Sequence, residues 1–181
     1  MTKPETIQFI RSQGQSDNII KHLISVGAAM RALAEHFNEN TDDWEMAGLI
    51  HDADYNLVPI DRHTRQTAEW FKGKISPEVE QAVFAHYPDG TGIKPQTKMD
   101  WALYSVDNLA GLIIASALVR PDQKLSGLTA ESVLKRFNER SFARGANRDE
   151  IVECQNLGIT LEEFIGIVLP GIQKVAPELG L

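Results

Sequence analysis

Apolar residues recur at helical spacing along almost the whole of this chain. From Asp17 onward, Ile19, Leu23, Val26, Met30, Leu33 and Phe37 form one stripe of a long helix that Asp17 is placed to cap. His22 falls on the edge of that stripe. Thr41, Asp42 and Asp43 then put acid into the first turn of a shorter helix, which favours its dipole, and the apolar run 46–50 carries it into the dipeptide His51-Asp52. Val58-Pro59 marks a loop. Residues 63–71 predict a further helix, stopped by Gly73, with His63 in its first turn.

Ser76-Pro77 is a helix start, because proline at the first helical position gives up no needed N–H. Val79, Ala82, Val83 and His86 follow at i, i+3, i+4 and i+7, so His86 belongs to the buried face. Tyr87-Pro88-Asp89-Gly90-Thr91-Gly92 is rich in turn formers and suited to border a cleft. A long helix over 97–119 comes next, ended by Pro121, with Leu103, Asp107, Ala110 and Ile114 on one face. In the last third, Thr129 is placed as a cap, Asn147 with Glu150 resembles a capping box, and Thr160 with Glu163 is one. Pro170-Gly171 predicts a kink or break in the final helix. No alternating run is long enough for a strand. The expectation is an all-α, single-domain helical bundle spanning 1–181, with its core over about 17–120 and a helical extension over 121–181.

Composition narrows the function classes. A formal charge of −7 speaks against neutralising a nucleic-acid backbone, so duplex DNA or RNA is not an expected partner. With Cys154 as the single cysteine there is no disulfide framework and no zinc-finger arithmetic. The first residues lack the apolar centre of a secretory signal, and no run of about eighteen apolar residues is uninterrupted, so a cytoplasmic protein without a membrane partner is expected.

The chemistry concentrates in His22, His51, Asp52, His63, His86 and Asp107. Imidazole and carboxylate are the usual protein ligands of a divalent metal that keeps positions open for water and substrate. Asp107 stands within an apolar helical face, where an unpaired carboxylate costs several kcal/mol and must meet a metal, a cation or several donors. Asp54 follows close behind the His-Asp pair and is the candidate for orienting a ligand ring. His36, late in the first long helix, suits the negative end of that helix and has no assigned role. Among the basic residues, Lys98, Arg144 and Arg148 are candidates for holding a substrate phosphate. Ser141-Phe-Ala-Arg144-Gly-Ala-Asn-Arg148 sets two arginines beside a turn and a helix start, where they either bind an anion or pin the C-terminal helices to the core.

This order of an isolated His, a His-Asp pair, two further His and a final Asp resembles the HD-domain superfamily of metal-dependent phosphohydrolases. Leu49-Ile50-His51-Asp52-Ala53-Asp54-Tyr55 looks like the LLHDIDY-type segment of a subgroup of small stand-alone HD proteins. Ala102-Leu103-Tyr104-Ser105-Val106-Asp107, Ala117-Leu118-Val119-Arg120-Pro121 and the segment 141–148 resemble that subgroup too, so the likeness covers most of the chain. It implies His22, His51, Asp52 and Asp107 as ligands of one metal, with His63 and His86 added where a second is held and Asp52 bridging the two. It further implies His51, Asp52 and Asp54 as the catalytic group, one or two divalent ions (Mn, Fe, Ni, Mg, Co or Zn), and a small phosphorylated substrate. The six-ligand set is also similar to that of di-iron HD oxygenases of the myo-inositol oxygenase type. A weakly catalytic module that senses nucleotide or metal is the third reading, the C-terminal extension offering surface for a partner or a homodimer. Ala53-Asp54-Tyr55 departs from the Ile-Gly-Lys of the HD-GYP phosphodiesterases.

Overall fold

Four threonines decide where helices begin. Thr2, Thr97, Thr129 and Thr160 each accept a bond from the backbone three residues on, while the residue at that position bonds back to the threonine's own N–H. The computed structural model describes residues 1–181 and contains helices and turns without a strand. The helices are α1 (Lys3–Ser12), α2 (Asp17–Phe37), α3 (Thr41–Ile50), α4 (Arg65–Phe71), α5 (Pro77–Ala85), α6 (Pro88–Thr91), α7 (Lys98–Leu118), α8 (Ala130–Asn138), α9 (Arg148–Val152), α10 (Leu161–Lys174) and α11 (Ala176–Leu179). Short 3₁₀ turns lie at Ile60–Arg62, Leu125–Gly127 and Glu153–Leu157.

A continuous cluster of 39 buried apolar residues runs from Ile10 through α2, α3, α5 and α7 to α10 and Leu179. The helix α2 is the hub, packed on α3, α10 and α7. Its crossing with α3 is set by two glycines. A Cβ on Gly48 would stand 2.7 Å from the Gly27 backbone nitrogen, so the two backbones touch as no other residue would allow. α7 is long and apolar enough to pass for a membrane span, yet more than half of its apolar window is buried among the other helices.

Several local expectations need correction. α1 is additional to the elements expected from the sequence, although Thr2 and Glu5 form a regular capping box. Ser16, one residue before Asp17, caps α2, because its Oγ reaches the Ile19 N–H. His63 lies outside α4: Thr64 has φ 69°, a left-handed turn that separates His63 from the helix starting at Arg65. Pro170 does not break α10, which continues to Lys174. Pro170 and Gly166, whose carbonyl loses its partner, are both exposed, so water can satisfy that oxygen while Phe164, Ile165, Val168 and Ile172 hold the helix to the core. Asn147 caps α9 without forming a box, for its backbone N–H donates instead to Asn108 Oδ1 of α7 at 2.8 Å.

Candidate metal centre

Three buried imidazoles are held from behind. His51 ends α3, and its Nδ1–H donates to the Gly48 carbonyl at 2.9 Å. His86 ends α5 and repeats the arrangement with the Val83 carbonyl at 2.6 Å. Because a carbonyl can only accept, both rings carry a proton on Nδ1 and turn Nε2 toward the cluster. His63 donates through Nδ1 to Asp54 Oδ1 at 2.7 Å. Asp54 is fully buried, and its carboxylate also takes the backbone N–H groups of Thr64 (3.3 Å) and Thr67 (2.9 Å) at the start of α4. A helix N-terminus therefore fixes Asp54, and Asp54 fixes His63.

The free Nε2 atoms converge on two carboxylates. Asp52 Oδ1 lies 3.3 Å from Nε2 of both His63 and His86, and its Oδ2 lies 3.8 Å from His51 Nε2. Asp107, from the middle of α7, lies 2.8 Å from His22 Nε2 and 3.5 Å from His51 Nε2. Neighbouring rings stand edge to face, with centroids 5.0 to 5.4 Å apart for His51 with His86, His22 with His51, and His63 with His86. All six residues expected from the sequence are thus together, and the cluster uses four of the five histidines in the chain. His36 stands apart, against the Phe37 ring.

This donor set fits a metal ion. His22, His51 and Asp107 form one group whose ligand atoms all lie within 4.8 Å of one another, and His51, Asp52 and His86 form a second. His51 Nε2 is the only buried side-chain nitrogen without a hydrogen-bond partner. An orphaned donor or acceptor at zero exposure is costly, and a cation between it and the carboxylates removes the cost. With protons as the only cations, burial disfavours a charged His51, but the nearby carboxylates of Asp52 and Asp107 outweigh it and raise its pKa to about 9. His63 is likewise raised to about 9, burial being overcome by Asp52 and Asp54. Burial works to raise Asp52 and Asp107 as well, yet the surrounding imidazoles pull both well below the usual carboxylate range.

A cavity of about 310 Å³ opens onto the cluster. Its floor is Asp52, His63, His86 and Asp107, and its walls are Tyr55, Ile60, Tyr87, Pro88, Asp89, Tyr104 and Glu150. No lysine or arginine lines it. Lys98 is at the start of α7, nine residues or about 13 Å from Asp107, paired with Glu39 at 3.2 Å and lying over the Phe37 ring. Arg144 is exposed and does not line the cavity. Arg148 is buried, and its guanidinium donates to the carbonyls of Ala143 (2.6 Å), Phe142 (2.6 Å), Ala146 (2.8 Å) and Phe137 (3.4 Å). Of the two roles open to it from sequence, pinning the C-terminal helices is the one the structure displays.

Sequence reasoning missed Tyr104 and Glu150 as cavity residues. Glu150 read as half of a capping box, but with the Asn147 N–H taken by Asn108 its carboxylate is free to face the cavity, held by Asn108 Nδ2 at 2.6 Å and Asn147 Nδ2 at 2.7 Å. Burial, with Asp107 and Asp89 nearby, raises its pKa. Asn108, next in sequence to Asp107, was the available signal. Set against models of known protein families, curated proteins and solved structures, the chain finds no match.

Proposed function

We propose that the protein is a metal-dependent phosphohydrolase of the HD type, acting on a small phosphomonoester. The observation that carries this reading is the convergence of four imidazole nitrogens on two carboxylates, with Asp52, His63, His86 and Asp107 of that cluster forming the floor of one open cavity. His22, His51, Asp52 and Asp107 would hold one divalent ion, and Asp52, His63 and His86 a second. When bound, such ions supply Lewis acidity toward a phosphoryl oxygen and make water nucleophilic near neutral pH. In the reaction an oxygen of water bonds to phosphorus, the bond from phosphorus to the ester oxygen breaks, and the departing alkoxide takes a proton from solvent in the cavity, giving an alcohol and inorganic phosphate.

The chain's own part is positioning. Gly48, Val83 and Asp54 fix three ring orientations, and full burial of His51 keeps bulk water from competing for its Nε2. Elemental mass spectrometry on tag-free protein, followed by phosphate release from simple phosphomonoesters, tests the reading. One or two ions per chain, with turnover lost in His51→Ala and Asp52→Asn, are expected. Metal-replete protein inert on every phosphoester would overturn it. A second reading, oxygen-dependent chemistry at a pair of iron ions, draws on the same ligand set and on the lack of any lysine or arginine in the cavity to bind phosphate. Substrate-dependent oxygen uptake by iron-loaded protein distinguishes it.

A further inference from the structure

Above its metal-ligating floor the cavity has an unusual wall. All three tyrosines of the chain, Tyr55, Tyr87 and Tyr104, line it together with Asp89 and Glu150. They arrive from four separate places: the turn after α3, the start of α6, the middle of α7 and the C-terminal α9. Gly90 is part of the construction, since a Cβ there would stand 1.9 Å from the Tyr87 ring. The two carboxylates have no cationic partner. Asp89 makes no ion pair, and Glu150 is held only by the neutral amides of Asn108 and Asn147. Below them, beside Asp52 and Asp107, lies the unpartnered His51 Nε2.

Charge balance gives this wall a meaning. Two divalent ions with Asp52, Asp107 and the buried Asp54 would leave one positive charge, which a phosphomonoester dianion more than cancels. Asp89 and Glu150 then remain, facing a partly enclosed space with aromatic rings around it. Carboxylates beside tyrosine rings are the surroundings that attract an organic cation and repel further phosphate groups. A nucleoside triphosphate or a polyphosphate would bring its additional negative charge against this wall.

The geometry points to a substrate that carries an ammonium group a few bonds from its phosphate, with Asp89, Glu150 and the three tyrosines forming the subsite for that cation. This rests on the phosphohydrolase reading for the other end of the molecule. It also gives the C-terminal helices a direct part in specificity, because Glu150 comes from α9.

O-phosphoethanolamine and propyl phosphate form the test pair, differing essentially in an ammonium where the other has a methyl. Metal-loaded wild type is expected to show kcat/KM about tenfold higher for the ammonium ester, through the cation's contact with two carboxylates and the tyrosine rings. The ratio should fall toward one in Asp89→Asn with Glu150→Gln; Asp89→Asn alone, at an exposed position, guards against misfolding of the double variant. Calorimetric titration of metal-free protein with choline supplies a readout without turnover, with binding in wild type and weakening in Asp89→Asn. Equal rates on both esters, unchanged in the variants, overturn the cation subsite and leave the phosphohydrolase standing. Choline binding without hydrolysis of either ester supports the subsite and removes the phosphohydrolase. Neither binding nor hydrolysis removes both.

Discussion

Arg148 and the His51 cluster both bury charge-bearing groups, and they do so in opposite ways. Around Arg148 the guanidinium donates to four backbone carbonyls, so little hydrogen-bonding capacity is left for a ligand. Around Asp52 the backs of three imidazoles are tied to Gly48, Val83 and Asp54, while their other nitrogens face two carboxylates across gaps of 3.3 to 3.8 Å. A polar group satisfied by backbone holds the fold together. Polar groups held from behind and open in front are able to hold something else. Residue type does not separate the two cases; the direction of the remaining hydrogen-bonding capacity does.

The largest expected effect that would break this contrast is at the cluster. Asp52→Asn should lower phosphate release by at least about 10²-fold, and added Mn²⁺ should raise the melting temperature of wild type but not of the variant. If the variant instead unfolds and wild type ignores metal, the cluster is a structural knot of the Arg148 kind. Arg148→Met should act on folding, destabilising by about 3 kcal/mol as four carbonyls lose a charged donor, which chemical denaturation measures; metal stoichiometry should stay at the wild-type value.

Asp54→Asn sharpens the contrast from the supporting side. Loss of a charged acceptor behind His63 should weaken metal affinity or turnover by roughly 10- to 100-fold, read by competition with a chelating dye. A pH series follows. In metal-free protein His51 and His63 are raised to about 9, above an unfolded value near 6.5, so their contribution is complete below about pH 6.5 and disappears as pH rises through 9. Melting curves of chelator-treated protein should therefore fall across that window. Metal affinity should move the other way, since ligating imidazoles must shed their protons. The smallest effects belong to Lys98→Ala and Arg144→Ala. Both side chains are exposed and outside the cavity, so kcat/KM and stability should change by less than about 0.5 kcal/mol.

The long helices were legible because their signal is repetitive: α2 and α7 end within a residue or two of where the apolar stripe and the terminating Pro121 put them. The six cluster residues were legible as a set because histidine is scarce here and Asp107 is out of place in an apolar stripe. His63 was placed on the wrong side of a helix start, because the left-handed Thr64 is a choice made by tertiary contacts with Asp54 and not by threonine's own preference. Glu150 was hidden for a related reason: which partner takes the Asn147 N–H depends on a residue 39 positions earlier in the chain. Arg148 stood beside a turn and a helix start whether it bound a phosphate or its own backbone, and only the folded turn distinguishes the two.

The touching backbones of Gly27 and Gly48 have a mechanical consequence. His22 lies five residues before one contact point and His51 three residues after the other, so the crossing is a fulcrum with a cluster histidine on each arm. Any thickening there would spread the arms and be felt as a longer span between the two rings. Two residues with no side chain, and no chemistry of their own, thus set the tolerance to which the two histidines are machined.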